Sequence, residues 1–160
     1  MYMKSKMLDM DACTNDDFNG GFMHVIHMLY MGIQKHLEQT LSASKQISFS
    51  QFVILVGFSR KNESRITQAK LAEHLMLTEA TVSRHINILV TMKLLHKEKD
   101  PNNKKSYILS LTPYGATTFM NAKKVIMKEL DSLFSHISEK DRKMIIKNFT
   151  ITIEALQQKK

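Results

Sequence analysis

Apolar positions recur at helical spacing along most of this chain, and the rhythm breaks once, past the middle. Phe22, Val25, Ile26, Leu29, Ile33, Leu37 and Leu41 fall three or four residues apart, which predicts one long amphipathic helix. Gly20-Gly21 marks its expected start, and residues 42–46 are a polar break after it. Ser48-Phe49-Ser50-Gln51 opens a second helix, capped by Ser48 or Ser50. That helix continues through Phe52, Ile54, Leu55 and Phe58, with Gly57 allowing a neighbour close. Residues 60–65 read as a loop. Thr67 caps a short helix with Leu71, Ala72 and Leu75 on one face, and Leu77 is expected to point inward from the turn that follows. Thr78 caps a further helix whose buried stripe is Val82, Ile86, Leu89 and Val90.

The period then shortens. Residues 96–99 and 106–111 read as two strands around Asp100-Pro101-Asn102-Asn103, a turn in which proline fixes φ and asparagine tolerates left-handed geometry. Helical spacing returns at Thr112-Pro113, with proline in the first turn where its missing N–H is harmless. Phe119, Ala122, Val125, Ile126, Leu130, Leu133, Phe134 and Ile137 form that helix's apolar face. Ser138-Glu139-Lys140-Asp141 starts a last helix carrying Ile145, Phe149, Ile153 and Leu156.

Removing the buried stripe from the helix after Thr78 leaves Glu79, Ala80, Thr81, Ser83, Arg84 and Asn87 facing outward. The set is small at its N-terminal end and polar throughout, so such a helix can enter a DNA major groove deeply. Arg84 could grip a guanine edge with two hydrogen bonds, Asn87 could pair with adenine, and Thr81 or Ser83 could reach a base or a phosphate. The candidate reading set is Thr78, Ala80, Thr81, Ser83, Arg84 and Asn87. Asn103, Lys104 and Lys105 sit at the hairpin tip directly behind it, placed for phosphate or the minor groove.

At this point the chain resembles the MarR family of winged-helix transcription regulators. The resemblance rests on Leu71-Ala72-Glu73, Thr81-Val82-Ser83-Arg84, Asp100-Pro101-Asn102-Asn103-Lys104-Lys105-Ser106 and Leu111-Thr112-Pro113-Tyr114-Gly115. It implies a mainly α fold with a small β-hairpin wing, a winged helix-turn-helix flanked by long dimerisation helices. The expected organisation is a flexible acidic tail over 1–20, an N-terminal dimerisation helix over 21–46, the winged helix over 47–111, and C-terminal dimerisation helices over 112–160. Two departures stand out. Lysines replace the arginines usual in the wing, which removes the planar fork. Met76 stands where many relatives carry glycine, a position that costs about 1 kcal/mol or somewhat more if its φ is positive.

Charge strengthens this picture. The chain has 160 residues and a formal net charge of +8. Residues 60–105 hold ten Lys/Arg against five Asp/Glu, so more than half of the excess lies on the candidate reading segment. That points to a polyanion partner, double-stranded DNA, and to salt-sensitive binding. Three amphipathic helices lie outside the reading segment and cannot all bury their faces against so small a unit. A second copy is the cheapest partner, and a two-fold homodimer would set two reading helices about one DNA turn apart. The alternative is a three-helix bundle packed on itself. The resemblance further implies repression as the commonest mechanism, and a crevice that takes small aromatic ligands. His27, Tyr30, Met31 and Phe52 are the candidate lining.

Other chemistry finds less support. Cys13 lies among Asp11 and Asp16, which would raise a thiol pKa and disfavour the thiolate. His24 and His27 share a helix face without the tight ligand spacing of a metal site, so no metal and no cofactor is expected. No GxSxG, P-loop, HExxH or dinucleotide fingerprint is present, so no enzyme activity is expected. Without a signal peptide or a spanning segment, the expected setting is cytoplasmic, with no membrane partner. The rival from another class is a winged-helix interaction module that touches no DNA. It would show large apolar residues on the outward face.

Overall fold

The computed structural model describes residues 18–43, 47–59, 65–103 and 105–158. Their order is α1 (Phe18–Ala43), α2 (Phe49–Val56), β1 (Arg65–Thr67), α3 (Gln68–His74), α4 (Glu79–Thr91), β2 (Leu95–Lys99), β3 (Tyr107–Leu111), α5 (Pro113–Leu133) and α6 (Glu139–Gln158). The fold is mainly helical with a small wing, as the apolar rhythm predicts.

Two features of the wing and the N-terminus differ from expectation. The wing is a three-stranded antiparallel sheet, ordered β1-β3-β2. β1 is only three residues long, and pairs Arg65 with Ser110 and Thr67 with Ile108. A strand this short has no alternation to detect. Arg65 and Glu98, on the two outer strands, reach each other as an exposed ion pair, which contributes little to stability. α1 begins at Phe18 and runs straight through Gly20-Gly21. Neither glycine has positive φ. A glycine inside a helix costs about 1 kcal/mol, too little to stop one when apolar packing favours its continuation, and Phe22 of α1 meets Phe149 of α6 with ring centroids 6.4 Å apart. Residues 18–20 are therefore helix and not tail, and Cys13 lies outside the described residues.

The caps follow the sequence closely. Ser48 and Gln51 form a reciprocal capping box at α2, and the carboxylate of Glu38 accepts from the Phe49 N–H at 2.8 Å. Both place acceptors at the positive end of α2. Thr67, Thr78 and Thr112 cap α3, α4 and α5.

The C-terminal ends of α3 and α4 share one device. Leu77 N–H reaches Ala72 O at 3.0 Å and Met76 N–H reaches Glu73 O at 3.1 Å. After α4, Leu94 N–H reaches Leu89 O at 2.8 Å and Lys93 N–H reaches Val90 O at 2.9 Å. This paired pattern needs one left-handed residue, usually glycine. Here Met76 (φ 54°) and Lys93 (φ 59°) occupy that place. The departure at Met76 is thus strained by about 1 kcal/mol or somewhat more. Leu77 is not part of the core: it is 37% exposed and lines a small crevice with Tyr30, Phe49 and Val53.

The core joins the winged helix to halves of the long helices. Leu37 and Leu41 of α1 and Phe119, Ala122 and Ile126 of α5 are buried with Ile54, Leu55, Leu71, Val82, Ile86, Leu89, Leu94 and Leu109. The other halves are bare. Phe22, Val25 and Leu29 of α1 are exposed, and α6 has no buried residue at all, with Ile146 65% exposed.

Candidate nucleic-acid interface

Helix α4 is fixed from behind. Val82, Ile86 and Leu89 are fully buried, and the helix packs against α2, α3 and β2. The remaining positions are set by helical geometry. Thr78 is exposed at the cap, where its hydroxyl accepts from Thr81 N–H at 3.2 Å. In place of a capping-box carboxylate, the Thr81 hydroxyl lies 2.9 Å from that of Thr78. Ala80 and Arg84 are exposed, and among the described residues the Arg84 side chain has no hydrogen-bond or ion-pair partner. It is a free guanidinium on a rigid rod.

The rest of the reading set divides between two sides of α4. Ser83 is half-buried and faces the wing. It lines a cleft of about 400 Å³ with Gln68, Glu79, Lys97, Lys105 and Tyr107. Asn87 is exposed, and its Oδ1 accepts from Lys97 Nζ at 3.3 Å. Thr81 faces the opposite side, toward α1 and α2. The hairpin tip is a compact turn. Asp100 N–H donates to Ser106 O at 3.1 Å, Ser106 N–H to Asn103 O at 2.8 Å, and Lys105 N–H to the Asn103 side chain at 3.1 Å. Asn103 and Lys105 are exposed on it, and Lys104 lies outside the described residues. Ser83, Arg84 and Asn87 are thus not packed into the body of the protein, and a basic hairpin stands beside them. Large apolar groups are not wholly absent from this face, since Ile88 is exposed on α4.

The turn after the wing explains the Leu111-Thr112-Pro113-Tyr114-Gly115 motif. Thr112 is buried. Its hydroxyl donates to Lys93 O at 2.8 Å and accepts from Gly115 N–H at 2.8 Å, while its own N–H donates to Leu94 O at 3.1 Å. Gly115 lies against the Leu94 carbonyl so closely that an added Cβ would be 2.0 Å from that oxygen. The motif welds the root of the wing to α5.

The candidate ligand residues are not brought together. Tyr30 lines a small crevice of about 110 Å³ with Gln34, Phe49, Val53, Thr81 and His85. His27 and Met31 are exposed and line no part of it. Phe52 belongs to the core: it is 6% exposed and stacks on Phe49 and on Phe119, with centroids 6.4 and 5.4 Å away. Its place on α2's buried stripe outweighs any role as lining. Gln34 and His85 of this crevice carry no sequence signal of their own. Among the described residues no group of three or more His, Cys, Asp or Glu could hold a metal ion, and no helix is long and apolar enough to cross a membrane.

A winged helix-turn-helix carried between long helices is the architecture of a large class of regulators, and comparison narrows the class. Residues 47–107 match the model of the MarR family, so this segment of the chain is similar to that family. No curated protein matches the sequence. Solved structures show how far the fold extends. A MarR transcriptional regulator from Methanosarcina mazei Go1 superposes with a TM-score of 0.78 at 23% identity, over 88% of this chain and 99% of the other. A cysteine-to-serine mutant of MarR from E. coli, complexed with operator DNA, gives 0.69 at 21% identity, over 89% and 95%. BpsR from Bordetella bronchiseptica, whose DNA binding is regulated by 6-hydroxynicotinic acid, gives 0.73 at 20% identity, over 82% and 98%.

Proposed function

We propose that this chain regulates transcription by binding a pseudo-palindromic duplex site as a homodimer, and that it represses by occupying a promoter. The observation that carries the reading is the free guanidinium of Arg84, held on a rigid helix beside a basic wing. The match of residues 47–107 to the MarR family model supports it, and so does the operator complex of the similar E. coli structure. The bare halves of α1 and α6 support a second copy: soluble monomers rarely expose so continuous a set of large apolar residues. Two-fold pairing would place the two α4 helices about 34–36 Å apart, one turn of DNA.

Three measurements test this. Binding sites selected from a random duplex pool should be inverted repeats, and Arg84→Ala should lose about 1–3 kcal/mol of specific affinity and relax preference at one base pair in each half. Unchanged discrimination would remove Arg84 from base reading. Sedimentation at micromolar protein should give twice the chain mass, and a stable monomer would overturn the two-fold arrangement.

A further inference from the structure

Asn87, which composition and spacing mark as a reader of adenine, already spends its acceptor inside the protein. A two-bond contact to adenine needs a donor and an acceptor on the same amide. The acceptor Oδ1 faces Lys97 Nζ at 3.3 Å. Lys97 itself was marked by nothing in the sequence. It lies on β2 opposite Leu109, and Tyr107 lies two residues along β3 on the same face of the sheet. The ammonium sits 4.5 Å from the centre of the Tyr107 ring. So the lysine is clasped between an amide oxygen and an aromatic face, both of which orient a cation without neutralising it.

No carboxylate cancels that charge. Among the described residues Lys97 makes no ion pair. Glu98, next to it on the strand, is engaged with Arg65. Glu79 lines the same cleft without coming within ion-pair distance of Lys97. The cleft between α4 and the wing therefore holds an uncompensated ammonium beside the Ser83 hydroxyl and Lys105. A lysine free in solvent loses rotamer freedom when it grips an anion; this one is already held, so less is lost.

We propose that Lys97 contacts the DNA backbone as a phosphate-binding cation, and that Asn87 is a positioning residue for it rather than a reader of a base. The inference rests on the duplex-binding reading above. Phosphate fits the site better than a base edge does. Lys97 comes from the wing strand and not from the groove helix, it is a point charge without a fork, and hydroxyl and cationic donors surround the cleft.

The test is a titration of the full chain against a random-sequence duplex of about three turns, followed by anisotropy across a sodium chloride series. Lys97→Gln should lower the slope of log affinity against log salt by about 1, and Lys97→Arg, which keeps the charge, should keep the slope. Asn87→Ala should weaken binding several-fold on every sequence while leaving selected base preferences as in wild type. Added to Lys97→Gln, it should change affinity by less than a factor of about two, because the two act as one unit. Tyr107→Phe, which keeps the ring face, should match wild type. A wild-type slope in Lys97→Gln, or a preference lost at one base pair in Asn87→Ala, would overturn the proposal alone. Wild-type protein that shows no salt-dependent duplex binding would overturn the reading beneath it as well.

Discussion

Truncating Leu89 to alanine should lower the unfolding free energy by about 2–5 kcal/mol. Leu89 is fully buried on α4, beside Val82 and Ile86. Its helix is gripped by α2, α3 and β2, so the space left by three missing carbons has little chance to collapse. The cost combines lost burial with a cavity, and the cavity part grows as the surroundings stiffen. Chemical denaturation at one fixed protein concentration checks it, since assembly would otherwise shift the midpoint. A loss below about 1 kcal/mol would mean that the site collapses freely, and that α4 is not the rigid mount its packing indicates.

Gly115→Ala should cost about 3 kcal/mol, the upper end of the range for overpacking. The added methyl would stand 2.0 Å from Leu94 O, 2.9 Å from its carbonyl carbon and 3.1 Å from its Cα. All three are backbone atoms, so no rotamer change can relieve the clash. Either α5 moves away or the root of β2 does, and the Thr112 hydrogen bonds that join them are the ones disturbed. Duplex affinity should therefore fall together with stability, with base preferences unchanged. At Gly32, by contrast, an added Cβ meets nothing within 4 Å in the same chain, so a methyl there leaves the joint between the wing and α5 undisturbed. A Gly115→Ala protein as stable as wild type would show that the wing and α5 are less tightly joined than described.

Most of the architecture could be read in advance because it rests on local signals. The apolar spacing of α1, α4 and α5, the Asp100-Pro101-Asn102-Asn103 turn, and the caps at Ser48, Thr67, Thr78 and Thr112 each follow from a few neighbouring residues. What escaped detection depends on distant ones. β1 is too short to show a period and exists because β3 offers it an edge. The helix runs through Gly20-Gly21 because a pair of glycines is a weak stop against apolar packing. Lys93 takes a left-handed conformation because the 89–94 cap requires it, and no glycine or asparagine advertises the place. The interface shows the same division. Helical geometry was enough to turn Ser83, Arg84 and Asn87 outward. The engagement of Asn87 by Lys97 joins a helix to a strand, and no spacing along one element encodes it. Phe52 went astray for a related reason, since an aromatic on a helical stripe looks the same in sequence whether it lines a crevice or fills a core.

The half-buried, half-bare character of α1 has a mechanical consequence. Its 26 residues form one unbroken rod, about 39 Å long at 1.5 Å per residue. One end is clamped in the core by Leu37 and Leu41, and the other stands clear of it. Rotating such a rod by about 5° around its clamped end sweeps the free end through roughly 3 Å. Read in reverse, a shift of that size at the bare end is geared down to a few degrees where the rod meets the body that carries α4.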